Sequence, residues 1–292
     1  MKIENIFKRQ FRHEELWPDN AAVTEHRDTL LQIDGMQYQT EYDDFVKEYL
    51  PFYSEHTWES IESESRKLLL SFGWFMYNQK TIIIEQEALT EYCKLVLSGN
   101  SSFSFTRNFI TRLAQVQVDE TYHTLMSYKG ISLCKRLSEH NLSIFPDTDL
   151  AVYIHSMESL PAAEKELAWL ALTTVCEATI SKYLSVLPGE VSVQPAFRFI
   201  TEMHRQDEAS HSSLFLDLMA VAFDELDMEM RIKLITHLKQ AIRALVSSDR
   251  KTWKILYQLA GVACPEVENP SYSHLYNFRM ITKYTGEHDV RC

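Results

Sequence analysis

Four segments of this chain place a carboxylate inside an otherwise apolar helical row. Residues three or four apart share one face of a helix. Phe109, Leu113, Val116, Glu120 and His123 form one such stripe, and Phe197, Ile200, His204, Glu208, His211 and Phe215 form another. Leu170, Thr173 and Glu177 make a third, and Ile82, Glu85 and Leu89 a fourth. Each row should face a core. A carboxylate or imidazole there is costly unless it is paired, hydrogen-bonded or bound to a metal ion. The pattern therefore calls for an all-α fold whose helices bring their buried polar groups together.

Two of the rows carry an internal echo, Asp119-Glu120-Thr121-Tyr122-His123 and Asp207-Glu208-Ala209-Ser210-His211. Either copy alone is weak evidence, because chance supplies roughly one E-x-x-H in a chain of this kind, usually on a solvated helix face. Glu85 or Glu177 alone would more often be a salt-bridged carboxylate, and His204 alone a satisfied histidine. The combination is more specific. One Glu from each of two helices and one E-x-x-H from each of two others is how four-helix proteins hold a dinuclear metal site. Carboxylates stabilise iron(III) and can bridge two ions, imidazole suits iron(II), and such a site can leave positions open for dioxygen. Zinc fits less well, because the set is rich in carboxylate and spread along the chain. Asp119 and Asp207 are expected outside the ligand set, each accepting a hydrogen bond from the histidine of the opposite motif.

The remaining sequence agrees with a helical enzyme. Of 292 residues, 45% are hydrophobic, enough for a large core, and only 7 are Gly and 8 Pro, which favours helix over turn-rich sheet. A net charge of -12 without a basic block argues against nucleic acid or anionic membrane as partners. The longest apolar run, Leu68 to Tyr77, is about half the roughly 20 residues needed to span a bilayer. Five scattered cysteines without a C-x-x-C read as reduced thiols in a cytoplasmic protein. Residues 1–17 lack the apolar stretch of a signal peptide.

One ferritin-like domain is expected over 1–292. Its core spans about 57–222, with a peripheral segment 1–56 and C-terminal helices and tail 223–292. Helical patterns run from Thr57, then about 78–98 with a stop at Gly99-Asn100, and about 102–137, where Gly130 weakens the last turns. A short helix opens near Asp147 or Asp149. Others follow over about 161–187 and 195–222, then 226–247 and 249–261.

With these residues placed, the chain resembles the p-aminobenzoate N-oxygenase family of ferritin-like di-iron oxygenases. The resemblance covers about 57–222. Related di-iron proteins normally supply two histidines, whereas this family adds a third one turn before the second E-x-x-H, where His204 stands. The resemblance implies Glu85, Glu120, His123, Glu177, His204, Glu208 and His211 as iron ligands, with Glu120 and Glu208 bridging or flexible. It implies two iron ions and O2 as cofactors, a peroxo-diiron(III) species, and oxygen transfer to an amine nitrogen, generally in natural-product biosynthesis. The substrate would be a small-molecule or carrier-tethered amine. No nucleotide-binding glycine motif is present, so reducing equivalents should come from an external partner, a reductase or ferredoxin, or from peroxide. Homodimer formation stays open. Two alternatives remain: a di-iron oxidase acting at carbon, and a ferroxidase.

Other candidates carry less. Glu87 could replace Glu85, but it lies about 200° away at roughly 100° per residue and leaves the apolar row. Tyr122 is two positions from Glu120 and should serve packing. Arg279 or His274 could reach a substrate carboxylate from the tail.

Overall fold

The computed structural model describes residues 3–25, 29–138, 140 and 148–268. In chain order the helices are α1 (Ile3–Asn20), α2 (Ala22–Glu25), α3 (Thr29–Gly35), α4 (Glu55–Ser60), α5 (Ser63–Ile82), α6 (Thr90–Leu97), α7 (Arg107–Leu133), α8 (Asp149–Met157), α9 (Ala162–Leu184), α10 (Pro195–Glu225), α11 (Met228–Val246) and α12 (Arg250–Leu259). A π-helical turn, Ile83–Leu89, joins α5 to α6 without a break. What the periodicity reads as two patterns is thus one long rod. Together with α7, α9 and α10 it forms a four-helix bundle. The fold is all-α and ferritin-like. The remaining helices dress this bundle: α11 lies on α9, α8 on α11, α12 on α5, and α1 against both α7 and α10.

Local chemistry sets the ends of these elements. Ser54, Thr148 and Asp227 each accept a backbone N–H from three residues on, capping α4, α8 and α11. Pro195 occupies the first turn of α10, where a missing N–H costs nothing. After α6, Gly99 adopts φ +74° while its N–H and that of Asn100 reach back to Val96 and Leu95. That left-handed stop favours glycine. Every residue from Glu166 to Glu177 on α9 is buried, as expected of a helix flanked by both α10 and α11.

Gly130 does not weaken α7, which continues to Leu133. Its role is steric. A Cβ there would lie 2.8 Å from the Trp74 ring and 3.2 Å from Ile200. Trp74 donates from Nε1 to the Gly130 carbonyl at 3.0 Å and stacks on Phe197 with ring centroids 4.1 Å apart. Three bundle helices therefore meet where α7 has no side chain. Residues 1–56 contribute more than a periphery: Ile33, Leu50 and Phe52 are fully buried in the main core. Phe45 and Leu50 leave no room for a Cβ on Gly73 of α5.

Gly130→Val should cost about 1–3 kcal/mol through overpacking against a ring that cannot move aside. Urea unfolding should show a lower midpoint with an unchanged slope; an unaltered midpoint would contradict the close approach.

Candidate metal centre

The bundle brings all seven acidic and imidazole candidates to one place. Glu85 comes from the π turn, Glu120 and His123 from α7, Glu177 from α9, and His204, Glu208 and His211 from α10. None is more than 3% exposed. Two groups can be drawn whose ligand atoms lie within 4.8 Å of one another: Glu85, Glu120, His123, His204 and Glu208, and Glu120, Glu177, Glu208 and His211. Glu120 and Glu208 belong to both, so the two groups are adjacent and share a pair of carboxylates.

The π turn places the first of these residues. The Thr90 N–H and Oγ1 both return to the Glu85 carbonyl, five residues back, which widens the turn at that point. The Glu85 carboxylate is held on one side by the Thr124 hydroxyl at 3.2 Å and lies 3.0 Å from His204 Nε2 on the other. Glu87 is exposed and outside the cluster. His204 Nε2 also lies 2.9 Å from Glu208, and the His204 and His123 rings face each other at 4.0 Å.

The two E-x-x-H histidines present Nδ1 to the cluster and Nε2 outward. His123 Nε2 donates to Asp207 at 2.9 Å, and His211 Nε2 donates to Asp119 at 3.0 Å. Each aspartate thus serves the histidine of the other motif. An ionised carboxylate only accepts hydrogen bonds, so this contact keeps the outer nitrogen protonated and leaves Nδ1 free to bind a cation. The aspartates are held in turn from the N-terminal segment. Trp17 Nε1 donates to both oxygens of Asp119 at 2.9 Å, and the Ala22 amide donates to Asp207 at 3.1 Å.

Several inward atoms have no hydrogen bond despite their crowding. Glu85 Oε1, Glu120 Oε1, Glu177 Oε2, Glu208 Oε2 and His211 Nδ1 are buried and unsatisfied. Glu120 Oε1 is 2.7 Å from His211 Nδ1 but out of line for a hydrogen bond. Groups that approach closely without pointing at one another are arranged for a third party between them. Four buried inner carboxylates need positive charge, and a metal ion bound to several of them supplies it. The donor set fits a metal centre.

The electrostatics of the protein alone agree. Burial pushes the Glu85 carboxyl up and Glu177 well up. Burial also works against the charge on Glu208 and Glu120, as does Glu208 on Glu120, but the surrounding imidazoles hold both below the ordinary range. His123 and His211 would be driven down by burial. Asp207 and Glu120 raise the first, and Glu120, Glu208 and Asp119 the second, well above the usual imidazole value.

Residues missed from the sequence are Thr124, Trp17, the Ala22 amide and Arg112. Thr124 follows His123 directly and could have been inferred from that. The others lack a signal. Arg112 is 1% exposed on α7, one face from the cluster, and donates to Ser210 at 2.6 Å. Tyr122 packs against the core, half-buried. Arg279 and His274 lie outside the described residues.

The fold and site together define a ferritin-like helical protein with a buried, carboxylate-rich centre suited to two metal ions. Residues 20–266 match the family described as p-aminobenzoate N-oxygenase AurF, and the chain belongs to that family. It is similar to the 4-aminobenzoate N-oxygenase of Streptomyces thioluteus, with 25% identity over 275 residues covering 92% of this chain and 81% of that protein. The chain is an oxygenase of the N-oxygenase kind. No described helix is long and apolar enough to cross a membrane.

Metal uptake must displace protons from imidazoles whose affinity for them is raised. The raised histidines stabilise the metal-free fold fully below the ordinary imidazole value, and that contribution is lost as pH rises through their higher folded values. Competition with protons therefore weakens metal binding as pH falls. Titration calorimetry in buffers of different ionisation enthalpy should report proton release on metal addition. Identical heats in every buffer would contradict the protonated cluster.

Proposed function

We propose that this chain binds two iron ions through Glu85, Glu120, His123, Glu177, His204, Glu208 and His211 and uses dioxygen to N-oxygenate a small-molecule amine. The observation that carries this reading is the pair of buried ligand groups sharing Glu120 and Glu208, with His204 supplying a third imidazole. Carboxylate and imidazole together suit iron in both ferrous and ferric states. Two bound irons would supply reversible two-electron redox chemistry with dioxygen.

The chain's own residues prepare the site. Asp119 and Asp207 fix the rings of His211 and His123 with the metal-facing nitrogen inward. Thr124 orients Glu85. Glu120 and Glu208, common to both groups, would be the carboxylates available to either ion. The cluster itself is buried, and the fully buried Cys93 lies near Glu120, Glu177 and His211, so bulk water is excluded. The overall change is R–NH2 + O2 + 2 electrons + 2 protons giving R–NHOH + H2O, with the electrons from an external donor. Membership of the N-oxygenase family makes an amine the class to test, beginning with 4-aminobenzoate, on which the Streptomyces relative is named as acting.

Metal analysis after aerobic purification should find about two irons per chain, the stoichiometry of a four-helix carboxylate site; zinc alone would refute the assignment. Reduced protein given 4-aminobenzoate and labelled dioxygen should yield a product carrying labelled oxygen on nitrogen by mass spectrometry. Label on carbon would redirect the reaction. His204→Ala should lower amine oxidation by about 10-fold or more while the fold persists by circular dichroism. Full activity in that variant would remove the third histidine from the ligand set.

A further inference from the structure

The seven clustered side chains are sealed from solvent, so electrons reaching a metal there must cross protein. Coupling is strongest along bonded and hydrogen-bonded atoms. Two such legs leave the cluster through the outer histidine nitrogens. The leg from His123 passes to Asp207 and ends on the Ala22 amide, which is main chain. The leg from His211 passes to Asp119 and ends on the indole of Trp17. Its steps are short, 3.0 Å from His211 Nε2 to Asp119 Oδ2 and 2.9 Å from Asp119 to Trp17 Nε1.

Trp17 is half-buried and lines a cavity of about 210 Å3 with His13, Arg112 and both outer carboxylates, Asp119 and Asp207; of the two legs, the one through Asp119 carries an aromatic ring on that wall. A conjugated ring therefore joins the wall of this cavity to the outer carboxylate that touches His211. The buried guanidinium of Arg112 lies on the wall of the same cavity, where positive charge favours an arriving electron.

We infer that Trp17, Asp119 and His211 form the route by which an external one-electron carrier reduces the metal centre, with Trp17 as the entry group. The inference rests on the proposed function, because it requires a redox-active metal. Two reduced carrier molecules each give up one electron, and two iron(III) ions become iron(II). No bond forms or breaks in the route. The indole keeps its N–H and its electron count, acting as a bridge and not as a stored radical. This gives the N-terminal helix, which carries no ligand, a part in the reaction.

The test uses full-length, iron-loaded protein in anaerobic stopped-flow mixing with a reduced [2Fe–2S] ferredoxin, and separately with reduced methyl viologen. Trp17→Phe removes the N–H and keeps a ring. Trp17→Gln keeps an N–H for Asp119 and removes the ring. Both should hold wild-type iron and melt at the wild-type temperature. Both should take electrons from ferredoxin about 10-fold or more slowly, the scale on which outer partners of metal ligands act, with viologen reduction unchanged. A wild-type ferredoxin rate in Trp17→Phe, or its restoration in Trp17→Gln, overturns the route. So does loss of iron or early melting in Trp17→Phe, which would make Trp17 a positioning residue, and so does a loaded wild type that ferredoxin does not reduce. Wild-type protein that takes up no iron refutes the proposed function before any variant is read.

Discussion

Negative charge gathered in an apolar bundle is the constraint on which this structure turns. Glu85, Glu120, Glu177 and Glu208 meet with Asp119 and Asp207 behind them, all buried. Ionised carboxylates in such surroundings cost several kcal/mol each unless paired. Three imidazoles and their protons offset part of that charge in the protein alone, and metal ions can take the place of those protons. The same burial that makes the cluster expensive gives it strong affinity for cations and keeps water away from its chemistry.

The bundle must hold this cluster rigidly, and the packing around it does so in layers. Gly130 lets Trp74 and Ile200 close on α7, which draws three of the four ligand-bearing helices together. The π turn sets Glu85 at the height of His204 and Thr124. Outside the ligands, Asp119 and Asp207 cross-link α7 and α10 through the histidines of the opposite helix. Each E-x-x-H motif is therefore incomplete alone: its Asp completes the other motif's His.

The N-terminal segment closes that outer layer. Trp17 and the Ala22 amide approach from a region more than 90 residues away in sequence and satisfy the two aspartates that the bundle leaves partly open. A helix that contributes no ligand thereby reaches the outer carboxylates behind the metal-facing histidines.

The helical rows, the two D-E-x-x-H echoes and the isolated Glu85, Glu177 and His204 were legible because helix periodicity projects onto sequence at three- and four-residue spacing. A polar residue on an apolar row is conspicuous there, and its chemistry follows from its type. Long-range partnerships leave no such trace. The crossing of each Asp to the other motif's histidine is expected from the paired motifs, but that Gly130 receives a tryptophan and that Trp17 rests on Asp119 depend on which helices become neighbours. Nor does periodicity at 3.6 residues per turn show a π turn, whose extra residue shifts the faces locally. The sequence by itself determined an all-α bundle with a carboxylate–histidine centre, because burial cost is paid residue by residue. Only the tertiary structure decided how those residues pair and what approaches them from outside, because pairing energy depends on distances that exist only once the helices have packed.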